Sequence, residues 1–126
     1  MSTADPLYYN PTDGTQTVRI TPVLSGSENY PLWKRQMELA LSSKRKLGFV
    51  TGKVSKPKED EEKSEHWDTS NRQVISWILQ NVSERIKRLI IYIPTAKGVW
   101  DLLEKKYTIA NGARKFKLNK ESYEIA

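Results

Sequence analysis

No cysteine occurs in the 126 residues, and histidine occurs once, at His66. Without thiols there is no disulfide framework, no thiol nucleophile and no zinc finger or zinc knuckle. A zinc site built from imidazoles, or a triad in which histidine activates a nucleophile, would rest on one ring, so neither is expected. The longest apolar run, 89–93, is five residues, against the roughly 20 that a bilayer-spanning helix needs. Met1-Ser2-Thr3-Ala4-Asp5-Pro6 has neither basic residues nor an apolar stretch and does not read as a signal peptide. No glycine-rich loop is followed by the lysine that would mark nucleotide binding. These absences point to an intracellular, cytoplasmic protein (the nucleus stays open) with no catalytic residues, no metal, no cofactor, no membrane partner and no small-molecule substrate.

What is there suits one modest domain. Apolar residues make up 37% and charged residues 29%, and 21 Lys and Arg against 15 Asp and Glu give a net charge of +6. The excess is uneven. Residues 67–126 hold 11 bases and 6 acids, whereas residues 1–66 hold 10 and 9.

Residues 1–28 read as an extended N-terminal arm, punctuated by Pro6, Pro11, Asp13-Gly14 and Pro22. Val18, Ile20 and Val23 alternate imperfectly and suggest a short β-like segment packed on helices. The remainder, 29–126, reads as a helical domain with a charged connector at 53–65. A first helix starts near Asn29-Tyr30-Pro31, since proline suits the first turn and Asn29 or Tyr30 can precede it as cap. Trp33, Met37, Ala40 and Leu41 fall on one face. The run Lys44-Arg45-Lys46 places cations at the helix end, where the dipole favours them. Phe49 and Val50, beside Gly48 and Gly52, suggest a turn that returns apolar groups to the core. Glu59 to Glu62 either line the first turn of a helix leading into Trp67 or belong to a solvated loop. Trp67, Val74, Ile75, Trp77, Ile78, Leu79 and Val82 predict a central helix contacted from two sides. Ser83 caps the next, with Ile86, Leu89, Ile90 and Ile93 as its stripe and Pro94 ending it. Thr95 caps another, carrying Val99, Trp100, Leu103 and Tyr107. A last, basic helix opens near Ala113. The fold class is therefore all-α, a compact bundle of about five helices behind an extended arm.

Four tryptophans are many for this length and would suit base stacking. Each lies inside a helical stripe, where a large side chain is ordinarily core, so Trp33, Trp67, Trp77 and Trp100 are read as core. The basic groups Arg85, Lys87 and Arg88, and Lys105, Lys106, Arg114, Lys115, Lys117 and Lys120, would support weak, salt-sensitive phosphate binding. A solvated face is the plainer account. The connector's carboxylates have nothing to desolvate them, and His66 reads as a residue at a helix start.

The spacing also carries a resemblance. Leu24-Ser25-Gly26, then Asn29-Tyr30, Trp33, Met37, Leu41, Lys44, Lys46-Leu47-Gly48-Phe49-Val50 and Gly52, resembles the N-terminal, capsid-like region of the Gag polyprotein of plant copia-type LTR retrotransposons. Tyr9, Pro11 and Asp13 are similar to that family's entry motif, with Asn10 where histidine is usual. Trp67, Asn71, Val74, Trp77-Ile78, Ser83, Tyr92, Thr95-Ala96, Val99-Trp100, Leu103, Tyr107, Asn111-Gly112, Arg114, Phe116 and Leu118 continue the likeness, which covers Tyr8 to Leu118. It implies an all-helical structural protein that associates with itself or with related Gag chains in a particle shell around RNA. Where the family continues through a long helix, a second helical region and often a zinc knuckle, this sequence stops at Ala126 without cysteine. The expectation is either an excised piece of a longer Gag or a short host-retained Gag-like product.

Within that reading the core is expected from Trp33, Met37, Leu41, Phe49, Trp67, Val74, Trp77, Ile78, Val99, Trp100, Leu103 and Tyr107. Residues the core does not need form the candidate protein interface: Arg85, Arg88, Ile91, Tyr92, Phe116 and Tyr123. The alternatives are non-specific RNA binding through the basic C-terminal half, or an adapter or inhibitor of Gag assembly.

Overall fold

The computed structural model describes residues 5, 7 and 17–108, and these are mostly helical with no sheet. In order they form α1 (Tyr30–Ser43), α2 (Gly48–Thr51), α3 (Glu61–Leu79), α4 (Glu84–Ile90) and α5, which begins at residue 96 and is described to residue 108. The basic helix expected from Ala113 lies outside the described residues, as do Arg114, Lys115, Phe116, Lys117, Lys120 and Tyr123.

Helix α1 buries Tyr30, Trp33, Met37 and Leu41, the stripe set by its spacing. Asn29 occupies the N-cap position, but its side chain does not cap. It accepts from the Ser25 amide at 3.1 Å and donates to the Val23 carbonyl at 2.8 Å, tying down the turn before the helix. At the other end Lys44 is the C-cap. The Lys46 amide reaches back to the Leu41 carbonyl and the Arg45 amide to that of Ser42, with Arg45 left-handed at φ 60. Such double back-bonding satisfies carbonyls that a helix end leaves open. It also turns Lys46 inward, only 2% exposed, so the basic run is not one surface cluster as its sequence suggests.

The expected turn at Gly48 is the one-turn helix α2, which buries Phe49 and Val50. Between the two readings of the acidic connector, the helix holds. Asp60 caps α3 by accepting from the Lys63 amide at 3.1 Å, and Glu61 and Glu62 stand in the first turn, at the positive end of the helix. Helix α3 stops at Leu79 rather than Val82 because Asn81 turns back, its side-chain amide donating to the Trp77 carbonyl at 2.8 Å. Ser83 caps α4 through the Ile86 amide. That helix ends at Ile90, ahead of Pro94, and Leu89, expected in its inward stripe, is 49% exposed. Ile86 and Ile90, one turn apart, take the buried face instead. Thr95 caps α5, its Oγ1 accepting from the Gly98 amide at 3.0 Å.

One core joins these elements. Trp33, Met37, Leu41, Phe49, Val74, Trp77, Ile78, Val99, Trp100, Leu103 and Tyr107 are buried. Trp67 is half-buried and packs against them. Trp33 sits between Tyr30 and Trp100, with ring centroids 6.2 and 5.8 Å away, and a Lys34–Glu104 ion pair links α1 to α5 on the outside.

Two asparagines of α3 and its exit pin the non-helical chain. Asn71 accepts from the Ala96 amide and donates to the Pro94 carbonyl, fixing the approach to α5. Asn81 accepts from the Ile20 amide at 2.7 Å and donates to the Val18 carbonyl at 2.8 Å. Its own carbonyl receives the Leu24 amide and the Trp33 indole. With the Ser83 amide on the Leu24 carbonyl, residues 18–24 lie parallel to 81–83 through a single bridge, Leu24 to Val82. Val18, Ile20 and Leu24 are buried there, while Val23 is 41% exposed. The expected β-like segment is thus an extended strap held by the Asn81 side chain and a single bridge rather than by a ladder.

Candidate interaction surface

Helix α4 is short, and its sequence splits it sharply. Ile86 and Ile90 face the core, while Arg85, Arg88 and Leu89 face outward. The chain then turns through Ile91 and Tyr92 before Pro94, and the turn leaves their side chains outside: Ile91 is 46% and Tyr92 91% exposed. Leu89, Ile91 and Tyr92 therefore form a run of apolar side chains that the core does not take, beside the cation of Arg88. Lys87 and Glu84 face one another at 4.0 Å on the same helix, an exposed pair of little energetic weight.

Arg85 is different from Arg88. Its guanidinium donates to the Ser25 carbonyl at 3.1 Å, so it also anchors the strap. It lies close enough to Tyr107 to oppose, in part, the upward push that burial gives that phenol. Tyr30, whose ring centroid is 6.0 Å from that of Tyr107, is likewise held well above the ordinary tyrosine range, by burial first and then by the charge of Glu104. The Tyr107 hydroxyl has no hydrogen-bond partner among the described residues, whereas the Tyr30 hydroxyl faces the Thr108 side chain, which opposes part of its upward push.

These phenols give alkaline stability a sign. Below the ordinary tyrosine value of about 10, folded and unfolded chains both keep the proton and the groups are silent. As pH rises past it, the unfolded chain releases a proton that the folded one retains, and stability falls. Tyr30→Phe is expected to make that alkaline loss shallower, while changing stability at neutral pH by no more than about 1 kcal/mol, since it removes at most one weak hydrogen bond, to Thr108. Urea denaturation of both proteins at neutral pH and above pH ~10 checks this; equal alkaline slopes would contradict it.

Two further exposed leucines lie on α1, Leu32 at 54% and Leu39 at 53%. Sequence reasoning followed the Trp33 stripe and passed over them, although their separation of seven residues is itself a helical repeat that marks a second face. Of the proposed nucleic-acid contacts, Lys105 and Lys106 are exposed on α5, with the Lys106 ammonium 5.9 Å from the Tyr107 ring centroid. The described residues bring no three His, Cys, Asp or Glu side chains together as a metal site. No described helix is long and apolar enough to cross a membrane.

Two family models match the chain. One, described as Gag-polypeptide of LTR copia-type, covers residues 11–58, and a second, described as gag-polypeptide of LTR copia-type, covers residues 37–126. The chain belongs to the copia-type Gag polypeptide family. No curated protein and no solved structure matches it. Within this Gag chain the two matched stretches overlap across the end of α1, α2 and the start of the connector, and together they take in every described helix. The core aromatics of the Gag helices are spoken for by packing. The outward residues of α4 and its turn, like Leu32 and Leu39 of α1, are not taken up by that packing.

Proposed function

We propose that this Gag domain is a non-enzymatic structural unit that associates with itself or with related Gag chains in particle assembly, and that the exposed end of α4 is its contact face. The observation that carries the reading is the outward cluster of Leu89, Ile91 and Tyr92 in a chain of this family. A tyrosine with almost its whole side chain in water gains most from being covered, and aromatic side chains flanked by arginine dominate protein contacts. Arg88, exposed on the same helix, supplies charge selectivity at the edge of that contact. Arg85 belongs to the face as well, but its bond to Ser25 makes its replacement a test of the strap too.

Arg88→Glu is expected to weaken self-association by roughly tenfold, and Tyr92→Ser by roughly thirtyfold, with unchanged helical content. Light scattering across protein concentration reads both. An unchanged oligomer size in the two variants would remove α4 from the interface. RNA binding rests on charge alone. A triple change of Lys115, Lys117 and Lys120 to Ala that leaves RNA affinity intact would dispose of it, and loss of affinity would make the basic C-terminal half a second functional surface. An adapter that joins Gag assemblies would use the same α4 face and differ only in stopping growth.

A further inference from the structure

Helix α1 carries a second face that the described chain leaves uncovered. Leu32 and Leu39 are both more than half exposed, and they stand seven residues apart, about 10.5 Å along the axis. Arg35 and Gln36 lie between them, so these side chains hold positions i, i+3, i+4 and i+7. Residues at that spacing frame the hole that receives a knob from a neighbouring element. No described side chain fills it, since Leu32, Arg35 and Leu39 all stay exposed.

A knob of fitting size is the Tyr92 ring, almost wholly exposed in the turn after α4, with Leu89 and Ile91 beside it. Charge decides what each patch can face. Arg85 and Arg88 are exposed on α4, and the helix's one acid, Glu84, faces Lys87. Two α4 ends brought together would set arginines against arginines, and two α1 faces would set Arg35 against its copy. Like charges across a contact cost affinity and select against both pairings. Crossed, the same residues complement one another. Arg35 forms no ion pair among the described residues, so its guanidinium is available to lie on the Tyr92 ring as a cation–π contact. Glu38, a turn beyond Arg35 on the same side of α1, forms none either and supplies an acid for Arg88.

We propose that α1 is the receiving half of the α4 contact: Tyr92 of one copy enters the hole between Leu32 and Leu39 of a second copy of this chain. Leu89 and Ile91 pack on the two leucines, and Arg88 pairs with Glu38. This pairing rests on α4 being the contact face, as proposed above, and adds the surface that receives it. Each contact then joins two different surfaces, every copy offering one knob and one hole. Damage to either half leaves the other half of the same chain competent, which is not so for a patch that matches itself.

Light scattering of the full chain tests this with two variants, Tyr92→Ser and the combination of Leu32→Ser with Leu39→Ser. All these side chains are exposed, and circular dichroism verifies that both variants are folded. Each variant alone should associate roughly thirtyfold more weakly than the native chain. Mixed in equal amounts, they should form one-to-one complexes at concentrations where each alone is a monomer. The intact α4 end of one then meets the intact α1 face of the other. Arg88→Glu combined with Glu38→Arg in one chain should recover the association that Arg88→Glu alone loses. A mixture that stays monomeric, or a double reversal that recovers nothing, would overturn the proposal. Undiminished association of the leucine variant, with Tyr92→Ser still defective, would overturn it and leave the α4 contact standing. Undiminished association of Tyr92→Ser, or a native chain that stays monomeric, would remove both.

Discussion

Asn81→Leu is expected to cost about 3–5 kcal/mol, a large part of the roughly 5–15 kcal/mol that holds such a domain folded. Leucine is close in size and apolar, so the change isolates hydrogen bonding from volume. It strands the Ile20 amide and the Val18 carbonyl, both facing a residue only 2% exposed, and each such buried group costs about 1–3 kcal/mol. The Trp77 carbonyl loses its side-chain donor as well. Urea denaturation measures the loss, and a value under about 1 kcal/mol would mean that water takes over the asparagine's role or that the strap contributes little.

Trp33→Ala is expected to be similarly severe, about 3–5 kcal/mol. It empties the place between Tyr30 and Trp100, in a site 1% exposed, and frees the Asn81 carbonyl from the indole donor. The two replacements touch the same few atoms around residue 81. Their combination should therefore lose less than the separate effects together, because the second change finds the neighbourhood already loosened. Additive losses in the double variant would show that strap and aromatic stack are independent.

Local periodicity accounts for most of what could be read in advance. Trp33, Met37 and Leu41 repeat at four, and Ser83 and Thr95 stand where caps belong, so these helices are legible residue by residue. Helix α2 is not, since four residues give no period and glycines flank it. The start of α3 was ambiguous because Asp60 is followed three positions later by Lys63 rather than by the glutamate that completes a capping box. Asn81 fell inside the stretch read as one continuous helix to Val82. Its importance comes from segments some 60 residues earlier, which no local pattern reveals. Lys46 is hidden for a related reason: a basic run looks like surface until the backbone turns one member inward. At the candidate surface, Ile91 and Tyr92 were legible as residues the packing stripe did not use. Leu89 was misassigned because three- and four-residue spacings compete on so short a helix. The contact of Phe49 with Trp67 was invisible, since it depends on where the connector brings Val54 back to the Trp67 indole.

The strap's ties share one property. Val18 and Ile20 meet Asn81, Leu24 meets Asn81 and Ser83, and Ser25 meets Arg85, so every one closes a loop of about 60 residues. Closing that loop once serves all of them, so each tie costs less entropy when the others are in place. The strap is therefore expected to open as a unit. In hydrogen exchange, the amides of Ile20, Leu24 and Ser83 should open with one common free energy, below that of the Met37 and Val74 turns, making them a single reporter of partial opening.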